Sequence, residues 1–487
     1  MKTICLYFEI HQPVHLKRYR FFDIGADHYY YDDFENERAI TEVAQKSYIP
    51  ALTTMLEMAQ TYGQYFKVAF SISGVAMELL EDYAPEVVDL LQQLNETGCV
   101  EFLAEPYSHG LSSLANEDVF IDETKRQARK MKQLFGKMPK VLRNSSLIYD
   151  DEIGALAGRM GFKGMLAEGA KHVLGWKSPH FVYSCAMAPK VKLLLRDYKL
   201  SDDLGLRFND SSWSGYPLFT ETYADWIAQL PEEEQVVNIF MELCALGIFQ
   251  PLSSNILEFL KALPAACRQR GIVFATPSEI LDKAKAVAPL EVVYPMSWND
   301  EERDTSGLLG NGMQREAFNK LYQEAGRILA CQDRRIKQDW DRLQANNNLH
   351  YMSTKASGVG MFRDHYESAY DAFTNYMNIL GDFIKRVQNL FPIEVESDEL
   401  NALYTTIRNQ GVEIEVREKE ISQLRSRLDK MEKAQQVEDT AVALPEQAAE
   451  KKADEKKPAE TKPAAKKPAA KKAPARKPAA KKVAKKE

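Results

Sequence analysis

The stretch Val141-Leu-Arg-Asn-Ser-Ser-Leu-Ile-Tyr-Asp150 begins as an apolar run, opens into polar residues and leads straight into the acids Asp150, Asp151 and Glu152. An apolar run of this length reads as a strand covered on both faces. Acids directly after it favour the start of a helix, where the peptide dipoles present positive charge. The stretch therefore reads as one strand–loop–helix unit. Period-two alternation over 141–148 predicts Asn144 and Ser146 on one face, with Ser145 and Leu147 on the other. The three acids follow four to six residues beyond Ser146, where helix capping is the role their position fits.

The same unit recurs through the first ~285 residues. Short apolar runs at 3–10, 65–72, 100–104, 141–148, 164–167, 192–195, 236–241 and 272–275 predict strands. Amphipathic stretches such as 49–61, 85–94 and 119–135 predict helices between them. Strands alternating with helices give an α/β fold with a parallel sheet, and a barrel of βα units is its simplest closure. In such barrels the chemistry sits at the C-terminal ends of the strands. Residues ~312–392 carry long amphipathic periods, at 314–335 and 366–390, and predict a helical domain. Beyond Pro392, Ile414, Ile421 and Leu428 recur at seven with Leu424 and Met431 between them, a short coiled-coil pattern interrupted by Arg417. A solitary solvated helix fits so few repeats equally well.

The chain has 487 residues, is 45% hydrophobic and carries a formal net charge of −7. The charge is uneven: residues 451–487 hold 15 Lys/Arg against 4 Asp/Glu, in Ala/Lys/Pro repeats without apolar residues to bury. Such a tail is expected to be disordered. It reads either as a tether to a polyanion such as nucleic acid or as a solubilising segment. The acidic body argues against a nucleic-acid-binding core. The six cysteines are scattered without zinc or disulfide spacing, which fits reduced thiols in a cytoplasm. The N-terminus reads as a first strand rather than a signal peptide. No apolar segment has the length of a membrane span, so no membrane association is expected.

Five segments resemble, in order, the motifs of glycoside hydrolase family 57. They are His11-Gln12-Pro13; Glu101-Phe-Leu-Ala-Glu105-Pro-Tyr-Ser-His109; the 141–150 stretch, where the family has Phe-Arg-Asn-Thr-Glu-Leu-Ile-Tyr; Asn238-Ile-Phe-Met-Glu242-Leu-Cys244; and Ser297-Trp298-Asn-Asp300 through Asp304 to Gln314. The resemblance covers roughly the first 390 residues and implies an incomplete TIM-like (β/α)7 barrel over 1–285 and a helical domain over 286–395; the coiled-coil helix over 396–436 and the basic tail over 437–487 lie outside it and are read from pattern and composition. It implies α-glucan chemistry at the barrel mouth with no cofactor and no metal. The alternative of a metal pair at His11 and His15 is disfavoured by Pro13, which interrupts a helix through both.

The family's nucleophilic Glu aligns with Ser146, and its acid/base Asp aligns with Glu242. The resemblance makes these the catalytic positions. It makes His11, Gln12, Glu105, His109, Asp202, Asp203, Trp298 and Asp304 candidate substrate contacts, although Asp202 and Asp203 read equally as a strand terminus. Polar family positions align with Cys244, Ala245, Ile248 and Phe249, and a family aromatic aligns with Leu308. A serine cannot form the glycosyl ester of a retaining glycosidase. The first reading is therefore an amylase-like homologue of α-glucan (glycogen or starch) metabolism that lacks normal hydrolase activity. The second is an active hydrolase or 4-α-glucanotransferase using Glu242 and a relocated carboxylate, from Glu105 or the Asp150–Glu152 cluster. The third is an interaction protein acting through self-association at 414–431 and the basic tail.

Overall fold

The computed structural model describes residues 2–355 and 366–390, with isolated positions at 406, 410, 417, 421 and 424. Contacts divide the chain into two units, Met1–Tyr404 and Thr405–Glu487. The predicted coiled coil and basic tail lie almost wholly outside the described residues.

Eight strands matter for the site: β1 (Thr3–Ile10), β2 (Val68–Ile72), β3 (Val100–Leu103), β4 (Val141–Arg143), β5 (Gly164–Glu168), β6 (Tyr183–Cys185), β7 (Lys192–Arg196) and β8 (Val236–Glu242). Seven of them run parallel around a ring. β1 pairs with β2 and β8, β2 with β3, β4 with β5, β5 with β7 and β7 with β8. The ring closes between β3 and β4, where Ala104 N–H donates to Val141 O at 3.0 Å and Arg143 N–H to Ala104 O at 2.8 Å. β6 is antiparallel to β7 and lies outside the ring, and Val273–Phe274 adds to β1. The strands read as nearly continuous apolar runs because the ring buries both faces: β2 and β5 are buried at every position. Tyr7, Phe240, Leu103, Leu166 and Leu194 fill the interior.

Helices pack outside the ring at the expected places, among them Ile49–Tyr62, Pro85–Glu96 and Glu117–Phe135. The long helix predicted over 314–335 is broken into Gly312–Tyr322 and Ala325–Ala330, and a third helix, Arg334–Leu343, follows. Asp333 explains the last boundary, because its carboxylate accepts from the N–H groups of Arg335 and Ile336. The helix Ala369–Leu390 matches the final amphipathic stretch.

The strand predicted over 141–148 stops at Arg143. Ser145–Leu147 forms a tight helical turn in which Ser146 and Leu147 have φ of +52° and +53°, so alternation does not set their faces. Asp150 then caps the helix Asp151–Arg159 by accepting from Ile153 N–H at 2.8 Å. Asp150→Ala is expected to cost about 1 kcal/mol, the ordinary worth of an N-cap. A urea unfolding curve measures it.

Candidate active site

Each ring strand brings a polar or charged residue to the same rim. Glu9, Ser71, Arg143, Glu168, Arg196 and Glu242 stand at or next to the C-terminal ends of their strands, and Glu105 follows β3 by two residues. Two buried arginines organise the floor. Arg143, fully buried, donates to both oxygens of Glu9 at 2.5 Å and to Glu105 at 3.4 Å. Arg196 donates to Asp202 at 2.5 Å and to Glu168 at 3.2 Å. Their guanidinium carbons lie 5.0 and 5.7 Å from the Phe240 ring, and Arg196 also lies 5.5 Å from Trp298. Burying these cations is tolerable because each has carboxylate partners and an aromatic face.

Glu9 and Glu242 are register neighbours on adjacent parallel strands, which sets their backbones about 4.8 Å apart. Burial, and then the Glu9 charge, push the Glu242 carboxyl up to about 8. Cys244 donates its thiol to Glu242 at 3.5 Å. Burial likewise raises Glu105 to about 7 against the pull of Arg143, and lowers His109 to about 4. His11 is held well below the ordinary imidazole value by burial and by His109, whose ring stacks on it at 4.1 Å. Asn347 Oδ1 lies 2.8 Å from His11 Nε2 and can only accept there. The proton of the neutral ring therefore sits on Nε2, leaving Nδ1 to accept from Ser73.

Ser146 sits at the centre of the mouth, 3% exposed. Its Oγ accepts from Asn346 Nδ2 at 2.9 Å, and its carbonyl accepts from Trp298 N–H and Ser297 Oγ. Asn346 N–H also donates to His109 O. The segment Asn346–His350 thus lies across the rim. The space left, bounded by Glu9, His11, His109, Ser146, Glu242, Trp298, Leu308 and this segment, is about 30 Å³. That is room for roughly one water.

The sequence profile of glycosyl hydrolase family 57 matches residues 5–293, which span every strand of the ring. A Methanocaldococcus jannaschii protein described as "Putative alpha-amylase" is 35% identical over 404 residues, covering 79% of this chain and 84% of that one.

The chain belongs to glycosyl hydrolase family 57.

Solved structures of the family share the fold. The 4-alpha-glucanotransferase of Thermococcus litoralis superposes with a TM-score of 0.59 at 12% identity, over 80% of this chain and 60% of that one. This chain therefore spans less than two thirds of the glucanotransferase. A family 57 branching enzyme from Thermococcus kodakaraensis gives 0.58 at 12% identity, over 83% and 94%.

Within the family 57 barrel, the candidate residues separate into three groups. His11, His109, Ser146, Glu242 and Trp298 line the cavity together, and Leu308 stands beside them. Glu105 lies beneath, bonded to Ser71 and Arg143. The other four have different partners. Gln12 donates to Tyr48 at 3.4 Å. Asp202 is bridged by Arg196 and Arg303, and Asp203 pairs with Arg207. Both acids belong to the helix Tyr198–Gly205 rather than to a strand end. Asp304 accepts from Ser306 N–H. These four are structural contacts rather than cavity walls. In the Asp150–Glu152 cluster, Asp150 caps its helix, Asp151 accepts from Val292 N–H at 2.8 Å and Glu152 is exposed.

Sequence reasoning passed over Glu9, Asn346, Asn347 and His350. Glu9 had a signal, being the one charged residue inside the apolar run 3–10. The run Asn346-Asn347-Asn348 offered composition but nothing tying it to a strand some 200 positions earlier.

Proposed function

We propose that this family 57 chain acts in α-glucan metabolism by engaging glucan without hydrolysing it by the family's retaining route. The observation that supports it is the mouth itself: Ser146, which the motif alignment sets at the nucleophile position, lines a cavity of about 30 Å³. A retaining glycosidase needs two carboxyl groups about 5–5.5 Å apart flanking a bound sugar. Here the position opposite Glu242 is a hydroxyl already bonded to Asn346. The hydrogen bonds that Asn346 and Asn347 make to Ser146 and His11 are ones that glucosyl hydroxyls could replace. A glucan chain would enter by displacing that segment.

Calorimetry with maltoheptaose tests this, together with a reducing-end assay. The expected result is measurable binding that tightens in an Asn346→Ala/Asn347→Ala double variant, with no release of reducing ends. Release of reducing ends by the wild-type chain, or no binding by either form, would overturn it.

One observation favours a second reading. The register places Glu9 directly beside Glu242, whose carboxyl is pushed up by burial and by the Glu9 charge, the direction a general acid requires. An active hydrolase or 4-α-glucanotransferase would then use Glu9 as the relocated carboxylate. Arg143 pairing with both Glu9 oxygens weighs against it, because the guanidinium withdraws the negative charge an attacking carboxylate needs.

The domain limits at 285, 395 and 436, self-association through 414–431, a polyanion contact by the tail and a cytoplasmic location complete the proposal. No helix among the described residues is long and apolar enough to cross a membrane.

A further inference from the structure

We propose that Glu9, Glu105 and His109 form a binding site for one divalent transition-metal cation, Zn²⁺ or Mn²⁺, at the floor of the barrel mouth. The three side chains come from β1 and from the loop after β3, and one donor atom of each lies within 4.8 Å of the others. His109 Nδ1 is 3.1 Å from Glu9 Oε1 and 3.9 Å from Glu105 Oε1. Ligands held ~2.1 Å from a tetrahedral ion stand ~3.4 Å apart, so two of the three edges are already near that length.

The second observation is independent of the clustering. Glu105 Oε1 and His109 Nδ1 are buried and make no hydrogen bond, and they face each other. Buried polar atoms are nearly always satisfied, and each exception calls for an occupant. The other Glu105 oxygen is engaged, and each Glu9 oxygen keeps a lone pair beyond its one bond to Arg143. Glu105 Oε2 accepts from Ser71 and Arg143, and both Glu9 oxygens accept from Arg143. Ser71 and Arg143 are therefore placed as outer partners that orient the ligands, as metal sites require.

Charge points the same way. Glu9, Glu105 and Glu242 gather around one buried cation, Arg143. A divalent ion would add positive charge where three carboxyl groups share a single arginine. One imidazole with two carboxylates and no thiolate suits Zn²⁺ or Mn²⁺ rather than a copper(I) or iron–sulfur centre. The adjacent space of about 30 Å³ would admit the water that fills an open coordination position. This inference is independent of whether the chain turns over glucan.

The experiment titrates the chelator-stripped full chain with Zn²⁺ and with Mn²⁺ by calorimetry. Glu105→Gln and His109→Gln are compared with the wild type, and Asp282→Asn, an exposed carboxylate paired with Lys163, serves as control. The expected result is one ion per chain, an affinity at least tenfold lower in the first two variants and unchanged in the control. Pulsed EPR of the Mn²⁺ form should show coupling to one imidazole nitrogen that His109→Gln removes. The wild-type EPR keeps the test valid if a variant fails to fold. Binding equal in wild type, Glu105→Gln and His109→Gln, a Mn²⁺ spectrum without nitrogen coupling, or no binding at all would leave a water as the occupant and overturn the proposal.

Discussion

Arg143→Met is expected to destabilise the chain by roughly 3–5 kcal/mol, the cost of removing one partner from a buried ion cluster. Arg143 is fully buried, supplies both hydrogen bonds to the Glu9 carboxylate and a third to Glu105, and lies over Phe240. Methionine keeps much of the apolar volume and removes the charge, so the loss reports electrostatics rather than a cavity. The effect should carry a pH signature. Burial raises the folded-state Glu105 carboxyl from 4.5 to about 7, with Arg143 pulling it down. Without Arg143 it climbs further. A carboxyl whose folded pKa exceeds its unfolded pKa binds more protons when folded, so stability falls as pH rises through that window. The loss relative to the wild type should therefore grow as pH rises above about 7, where only the wild-type Glu105 ionises, and should be smaller below it. Urea unfolding at several pH values, with chelator present, measures this. A loss independent of pH, or one below about 1 kcal/mol, would mean the cluster is not held by charge.

Placing a carboxylate at position 146 by Ser146→Glu should not produce hydrolysis, and it should destabilise the chain by roughly 1–3 kcal/mol through overpacking alone. Glutamate adds a methylene and a carboxylate where about 30 Å³ remains, and it displaces the Asn346 hydrogen bond. It also sets a further acid near Glu9 and Glu242, where the Glu9 charge already raises the Glu242 carboxyl. Thermal melting and reducing-end release from maltoheptaose give the two readouts. A stable Ser146→Glu chain that cleaves maltoheptaose would instead make the site a latent amylase lacking one residue.

The parallel strands were legible because burial on both faces writes them as apolar runs, and six of the eight expected runs are found within a few residues of their limits. The run 272–275 shrinks to the two-residue strand Val273–Phe274. The run 141–148 was over-extended because Leu147, Ile148 and Tyr149 are buried by tertiary packing without being in a strand. Nothing in a Ser-Leu pair announces positive φ. Gly247 shows the opposite case: its φ is +120° and a Cβ there would meet the Lys46 carbonyl at 2.0 Å, so the residue type carries the message. The motif residues of the mouth were legible through the family resemblance. Glu9 was passed over although it is the one charged residue in the apolar run 3–10, because a lone acid in a strand does not name its partners. The Asn346–Asn347 closure was hidden for another reason, since it joins positions that no periodicity links. Asp202 and Asp203 pair with Arg196, Arg303 and Arg207, and adjacent acids look alike in sequence whether they face a ligand or their own arginines.

The most direct measurement compares the wild-type chain with Glu242→Gln and Glu9→Gln in reducing-end release from maltoheptaose, each against a blank without protein. The account expects all three to match the blank. Turnover by the wild type that disappears in both variants would contradict it and make the register pair on β1 and β8 a working catalytic couple.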